Sequence, residues 1–232
     1  MGGLFISSLS TDPRFFFGVL ITVIVSITLH ELAHGFAALR LGDDTPEVTG
    51  HMTLNPLVHM GGLSLVMLAI AGIAWGAMPV DRTRLRGRYA ESLVAIAGPA
   101  TNFLLAGVAI VGLGLWERLA PLNEASGVTG LNGRYLLLLF GLYNVLLAVF
   151  NLLPVPPLDG SRVVANFVPA YERALSQPLA QGVMMAVFFA IFMGAGRIIV
   201  PWAMNVTTAA LAAISGLPAE HFYMIFFSEP GA

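Results

Sequence analysis

The chain has 232 residues, of which 57% are apolar and only 10% are charged. A soluble globular chain carries about 25% charged residues, so this sequence has too little polar surface to coat a water-soluble domain. We therefore predict an all-α polytopic membrane protein in contact with the lipid bilayer. All eleven basic residues are arginines without a continuous basic stripe, so we expect no nucleic acid partner. The absence of cysteine excludes disulfides, thiolate metal ligands and a cysteine nucleophile.

Apolar segments long enough to cross a bilayer recur along the chain, at about 20 residues per crossing. The first lacks the basic n-region and cleavage site of a signal peptide, so we expect an uncleaved span. The last two are separated by a Gly-Ala-Gly-Arg stretch that predicts a tight turn. We expect about five transmembrane helices in a single membrane domain, with a core at about 15–165 and a C-terminal helical pair at about 175–215. The expected spans are Phe15–Leu41, Tyr89–Leu119, Tyr135–Leu153, Leu179–Gly194 and Ile198–Ile214.

The first span contains the stretch TLHELAHGFAA, residues 28–38. Titratable groups are costly at membrane depth and by default mark a functional site. On a helix, His30 and His34 share one face and can reach one metal ion, while Glu31 lies about 100° around the helix from His30. This is the HExxH arrangement of zinc peptidases, in which the glutamate takes a proton from water. The alternative is that both histidines merely bond to neighbouring groups.

A catalytic zinc usually has three protein ligands, so a third is expected elsewhere. The candidates are His51, His59, His221 and any carboxylate within the membrane. The best is Asp159 in NLLPVPPLDGSRVV, residues 151–164, where three prolines break the helix after the span Tyr135–Leu153. Irregular backbone at membrane depth is tolerated only against protein or a water-filled cavity. Asp159 could equally be a cap that begins the next helix.

The chain resembles the site-2 protease family of intramembrane zinc metalloproteases. HExxH in the first span is followed by the motif NxxPxPxLDG, and the stretch AIAGPATN at residues 95–102 resembles the family's AGP-containing helix. The likeness covers roughly residues 20–165. The second motif is present as Asn151, Pro154, Pro156, Leu158, Asp159 and Gly160.

The resemblance implies that His30, His34 and Asp159 hold one zinc ion per chain. It implies Glu31 as the general base and Asn151 as a polar group near the scissile carbonyl. The stretch GHMTLNPLVH, residues 50–59, resembles the compact subgroup that has neither a PDZ nor a CBS domain. That subgroup usually continues with Asp-Pro, whereas this chain continues with Met-Gly, which leaves the role of His59 open.

The glycine-interrupted run Gly61–Met78 is shorter than the other apolar segments. If His34 and Asp159 share one zinc, the chain between them must cross the membrane an even number of times, and the spans Tyr89–Leu119 and Tyr135–Leu153 already supply two crossings. The run is therefore expected to be re-entrant or interfacial, although its length also permits an ordinary span. The positive-inside rule places the arginine cluster at residues 82–88 in the cytoplasm. This predicts a site near the cytoplasmic face of a prokaryotic cell membrane, with the N-terminus outside and the C-terminus inside.

The segment GHMTLNP is expected to form a short β element near the active site. Its exposed edge could hold an extended substrate by main-chain bonds, or the segment could be a plain structural turn. His51 and His59 are expected to be satisfied polar groups rather than ligands, and His221 is expected to be interfacial.

The sequence predicts an intramembrane zinc metalloprotease that cuts membrane-spanning or signal-peptide-like segments. A zinc carrier or sensor would use the same ligands without a general base, and an inactive scaffold would keep the motifs for packing. A zinc hydrolase that acts on a lipid is a further alternative. The expected partners are substrate segments and the bilayer, and a regulatory membrane protein is a further candidate.

Overall fold

The computed structural model describes residues 4–123 and 126–227, apart from the side chain of residue 195. This part of the chain is helical and contains no strand. Single helical turns lie at Phe5–Ser7, Ser8–Thr11 and Thr45–Val48. The longer helices are α1 (Pro13–Arg40), α2 (Pro56–Ala71), α3 (Ala90–Leu119), α4 (Gly127–Asn151), α5 (Asp159–Phe167), α6 (Pro169–Leu175), α7 (Pro178–Ser215) and α8 (Ala219–Phe227).

Four helical stretches are long and apolar enough to cross a membrane, namely α1, α3, α4 and the second half of α7. The count becomes five if α6 and the first half of α7, which meet at 94°, form one broken span. The prediction of a polytopic all-α membrane protein is thus confirmed.

Helix α1 is the most buried of these helices and packs on α2, α3 and α4. It begins where Asp12 accepts a hydrogen bond from the Phe15 backbone N–H at 2.9 Å, with Pro13 in the first turn. Its apolar face joins the facing sides of α3 and α4, so the HExxH residues lie inside the bundle. The shared core includes Val19, Val23, Ile27, Leu113, Leu138 and Leu139.

Helix α7 is continuous through residues 194–197, so the predicted tight turn there is wrong. Glycine and alanine fit a helical backbone, and an unbroken helix satisfies each peptide group internally in an apolar setting. Near its end, Ile214 packs against Gly114 in the last turns of α3, and Arg118 donates to the Ile214 carbonyl. Helix α7 therefore ends at the opposite end of the bundle from the histidines. The predicted pair of spans would instead have ended on the same side as the histidines.

The segment between α1 and α3 begins and ends at the same end of the bundle. The carboxylate of Asp43 accepts from the Asp81 backbone N–H at 2.7 Å, and the Arg86 N–H donates to the Leu41 carbonyl at 2.8 Å. Between these points α2 bends at Gly61 (φ 68°), and the chain then returns over residues 73–80, which form neither helix nor strand. Both ends of the segment thus lie at the C-terminal end of α1.

The short β element predicted at residues 50–56 is not present in the structure. A strand needs a neighbouring extended backbone to pair with, and here the backbone bonds are local. The His51 N–H donates to the Pro46 carbonyl at 2.8 Å, and the Thr53 N–H donates to the His51 carbonyl at 2.9 Å. The segment is an irregular turn that leads into α2.

The proline-rich stretch after α4 folds the chain back so that α5 begins beside the end of α4. Gly160 makes this possible, because a Cβ there would collide with the backbone carbonyl of Leu152. The close approach carries Asp159, the first residue of α5, against the face of α1 that bears the histidines.

The opposite end of the bundle contains a buried ion pair between Glu117 of α3 and Arg134 of α4. His221 of α8 joins it, with its Nε2 2.7 Å from a Glu117 oxygen. His221 thus packs against a buried carboxylate and ties α8 to α3.

Candidate active site

Three predicted metal ligands from distant parts of the sequence lie together between α1 and α5. The Nε2 atoms of His30 and His34 are 2.9 Å apart, and the Asp159 Oδ2 is 3.1 Å from the first and 3.5 Å from the second. Both histidines are buried and Asp159 is partly buried. The fold therefore gathers two imidazoles and one carboxylate at one point.

The other ring nitrogens of the histidines are bound by acceptors. The Nδ1 of His30 is 2.5 Å from the Asn102 Oδ1, and the Nδ1 of His34 is 2.7 Å from the Val94 carbonyl. Because a carbonyl oxygen can only accept, each Nδ1 must carry the hydrogen and donate it. Each Nε2 then presents a lone pair toward the other and toward Asp159.

A chain of buried amides fixes the orientation of Asn102. Asn144 donates from its Nδ2 to the Phe140 carbonyl and to the Ser26 hydroxyl, both at 2.8 Å. Its Oδ1 is therefore left to accept from the Asn102 Nδ2, also at 2.8 Å. This directs the Asn102 Oδ1 at His30. The orientation of one ligand thus depends on a hydrogen-bond chain through α1, α3 and α4.

The donor set fits a zinc ion. Three electron-pair donors this close repel one another unless a cation or a proton lies between them. Two neutral imidazoles and a carboxylate are a known ligand set of catalytic zinc. Gly98 of α3 leaves room beside the donors, because a Cβ there would overlap the Nε2 atoms of both His30 and His34.

Glu31 is buried next to the histidines, and its carboxylate makes no hydrogen bond or ion pair with any described residue. Gly76 of the returning segment passes so close that a Cβ there would overlap the Glu31 Oε1. Asn151 lines a cavity with Glu31, and its Nδ2 donates to the Leu147 carbonyl at 3.0 Å. An amide has a second N–H, which leaves one donor available.

The remaining histidines lie apart from this cluster. His59 is buried and contacts the Thr53 carbonyl through its Nε2 at 2.6 Å. His51 contacts Thr49, and its ring lies 6.5 Å from that of His59. Neither belongs to the group of convergent donor atoms that contains Asp159.

Two cavities meet at Glu31 and Asp159. The polar cavity, about 270 Å³, is lined by His34 and by the charged residues Arg82, Glu91 and Arg162. The apolar cavity, about 450 Å³, has an aromatic wall from three different parts of the chain. This wall consists of Trp75, Phe150, Phe188, Phe189 and Phe192.

Sequence reasoning did not assign roles to Asn102 and Asn144. Both are completely buried in apolar helices. Polar side chains in such segments usually face the bundle interior and find partners there. That signal could have marked both residues, but it could not have shown that they connect to His30.

The fold and the site define a polytopic helical membrane protein with a buried cluster of two histidines and an aspartate beside a glutamate. Residues 18–195 match the model of Peptidase family M50. The chain therefore belongs to this family, the site-2 protease family.

The relatives that match the chain carry zinc metalloprotease names, provisional for the first two. YwhC of Bacillus subtilis is 38% identical over 176 residues, which cover 75% of this chain and 79% of that protein. Rip2 of Mycolicibacterium smegmatis is 34% identical over 195 residues, 77% of this chain and 70% of that protein. Zinc metalloprotease MJ0392 of Methanocaldococcus jannaschii is 26% identical over 157 residues, 68% of this chain and 36% of that protein. No solved structure matches the chain significantly.

Proposed function

We propose that the protein is an intramembrane zinc metalloprotease that hydrolyses peptide bonds in membrane-spanning or signal-peptide-like segments. The observation that carries this proposal is the unpaired Glu31 carboxylate beside the cluster of His30, His34 and Asp159, at the point where the polar and apolar cavities meet. Family membership and the zinc metalloprotease names of the relatives support it.

In the proposed mechanism, His30, His34 and Asp159 hold one zinc ion per chain. When bound, zinc lowers the pKa of water and polarises a carbonyl. Glu31 accepts a proton from the water whose oxygen attacks the peptide carbonyl carbon, and it returns that proton to the amine nitrogen as the C–N bond breaks. Asn151 offers its second amide N–H to the developing oxyanion.

The surroundings of the site favour an apolar peptide in extended form. The aromatic wall of the apolar cavity offers a dry surface for apolar side chains. Along the returning segment, Trp75 and Ala77 donate their N–H groups inward, to Ser64 and to the His59 carbonyl. Among the described residues, the alternate N–H groups of Ala74, Gly76 and Met78 have no acceptor.

This alternation is that of an open strand edge, to which an extended peptide can add by main-chain bonds. We propose that a substrate segment unwinds and pairs with residues 74–78, and not with residues 50–56, which the sequence offered either as a substrate-binding edge or as a structural turn. Unwinding is required because a helical peptide bond is already hydrogen-bonded and shielded.

The decisive experiment compares the wild-type protein with Glu31→Gln in proteoliposomes that contain a panel of membrane-helix substrates. Glutamine can pack and hydrogen-bond but cannot take a proton at neutral pH, so cleavage should be abolished while zinc content stays near one per chain. Undiminished cleavage would refute the protease assignment. Preserved zinc and an unchanged transport or sensing response would favour a non-proteolytic zinc protein.

Asp159→Ala separates a ligand from a helix cap. Loss of a cap costs about 1 kcal/mol of stability and leaves metal binding intact, whereas loss of a ligand lowers zinc affinity. Full zinc occupancy of the purified variant would show that Asp159 is not a ligand.

The membrane topology can be tested with single cysteines, because the native chain has none. Thr49→Cys and Thr83→Cys lie on either side of the run Gly61–Met78, which is expected not to cross the membrane. A membrane-impermeant thiol reagent should label both from the cytoplasmic side of sealed vesicles, since the dense arginine cluster at residues 82–88 should stay inside. Labelling from opposite sides would mean that this segment crosses the membrane.

A further inference from the structure

Arg162 is a charged residue of the polar cavity for which the proposed chemistry has no use. It lies on α5, one turn after Asp159, and is half-buried. Glu31 and His34 line the same cavity. A guanidinium therefore faces the space through which one side of a bound peptide would pass.

The other charged groups of this cavity are paired with each other. Arg82 and Glu91 form an ion pair at 2.9 Å. Across the described residues, Arg162 forms no ion pair and no hydrogen bond. Glu91 and Glu172 act on it only from a longer distance.

The electrostatic surroundings leave Arg162 short of negative charge. Burial lowers the pKa of Arg162, and the charge of Arg82 lowers it further, while Glu91 and Glu172 oppose the shift. An arginine nevertheless stays protonated at neutral pH, because its ordinary pKa lies far above neutrality. An anion in the polar cavity would therefore be stabilised by a partly desolvated cation.

We propose that Arg162 binds a carboxylate of the peptide chain that occupies the polar cavity. This inference rests on the proposed protease function, because the cavity is continuous with Glu31 and Asp159. The planar guanidinium fork matches a carboxylate in a bidentate arrangement. The carboxylate is either an acidic side chain of the substrate near the scissile bond or the new C-terminal carboxylate of the product.

The test uses the full-length protein in proteoliposomes and matched substrates. Two model substrates differ only by glutamate or glutamine at one position near the cleavage site, and this position is moved through the residues on either side. A hydrogen-bonded charge pair stabilises by about 1.5–3 kcal/mol, so the glutamate substrate should have a kcat/KM about tenfold higher or more at one position. In Arg162→Gln this ratio should fall to about one. Arg162→Lys should retain part of it.

A second experiment tests whether the bound carboxylate is the new C-terminus of the product. A product peptide with a free C-terminal carboxylate is compared with its amidated form as an inhibitor. If the terminal carboxylate is the ligand, Arg162→Gln should weaken inhibition by the free acid about tenfold and leave the amide unchanged. In that case no glutamate preference is expected in the wild type.

A matched control is Arg173→Gln, on the exposed surface of α6 and outside the polar cavity. This variant should keep both the ratio of kcat/KM between the glutamate and glutamine substrates and the ratio of inhibition between the free-acid and amidated peptides. Unfolding temperature and zinc content are measured for every variant, because a merely structural role of Arg162 would lower stability without changing either ratio. Unchanged ratios in Arg162→Gln would overturn the inference while the protease assignment stands.

Peptide binding separates a failure of the protease assignment from a failure of the inference about Arg162. The dissociation constants of the same peptides are measured on the zinc-loaded Glu31→Gln protein, with and without Arg162→Gln. If the wild-type protein cleaves no substrate but binds the carboxylate peptides more tightly through Arg162, the inference holds and the protease assignment fails. If no carboxylate preference is found, the inference is wrong.

Discussion

Substitution of Asn102 should weaken metal binding although this residue is not one of the three proposed ligands. Asn102 is fully buried and makes two bonds, one to the Nδ1 of His30 at 2.5 Å and one to the Asn144 Oδ1 at 2.8 Å. Asn102→Leu keeps the size of the side chain but leaves the His30 N–H and the Asn144 oxygen without partners. Loss of a hydrogen-bond partner behind a metal-ligating histidine typically lowers metal affinity about 10- to 100-fold.

The same substitution should also lower stability. Each buried polar group left without a partner costs about 1–3 kcal/mol, so two such groups predict about 2–6 kcal/mol. Hydrogen bonds between membrane helices often contribute less than 1 kcal/mol, because the unfolded state within the membrane also finds partners. We therefore expect the lower end of this range, about 2 kcal/mol.

Asn102→Asp separates the two effects. A carboxylate still accepts from His30 but cannot donate to Asn144, so zinc affinity should stay within a few-fold of the wild type while the loss of stability remains. Ser26→Ala is the control, because Ser26 lies at the far end of the hydrogen-bond chain and Asn144 keeps its bond to the Phe140 carbonyl in this variant. It should bind zinc like the wild type.

Zinc affinity is measured by competition with a chromogenic chelator in detergent, and stability by thermal unfolding of the zinc-free protein. If Asn102→Leu binds zinc as tightly as the wild type, the amide chain does not orient His30, and the reasoning is wrong. Equal loss of zinc affinity in Asn102→Leu and Asn102→Asp would show that packing, and not the accepted hydrogen bond, is what matters.

Three further predictions concern other parts of the fold. Gly98→Ala should lower zinc affinity in the same chelator assay, because the added methyl group overlaps the Nε2 atoms of both histidines, whereas Gly107→Ala, with open space beside it on the same helix, should not. Glu117→Gln leaves Arg134 buried without its counter-ion and should cost about 3–5 kcal/mol in thermal unfolding, and Arg134→Met in the same chain should recover part of this loss. Burial raises the pKa of Asp43, but hydrogen bonds from its neighbours outweigh burial and lower it overall. Its stabilising contribution is therefore present above about pH 4, the ordinary aspartate pKa, and is lost as pH falls through the lowered folded-state value, so Asp43→Asn should show a weaker fall of unfolding temperature with acid than the wild type.

The sequence by itself determined the features that depend on local geometry. The length and apolar content of the helices predicted a membrane protein, because a bilayer of known thickness sets the length of a span. The spacing of His30 and His34 placed both on one face, because a helix repeats every 3.6 residues. The motif resemblance identified the family that the comparisons then showed.

Only the tertiary structure decided what depends on contacts between distant segments. Asp159 lies 129 residues after His30, and the sequence left it open between a cap and a ligand, whereas the packing of α5 on α3 brings its carboxylate to 3.1 Å from the His30 Nε2. The sequence predicted a turn at residues 194–197, but in the folded protein the helix continues through them. The strand expected at residues 50–56 needed a partner that packing did not supply, while the open edge at residues 74–78 arose because Ser64 and His59 of α2 accept its alternate N–H groups. The periodicity of apolar residues indicates which face of a helix or strand is buried, but the packing of the whole bundle determines which segment contacts that face.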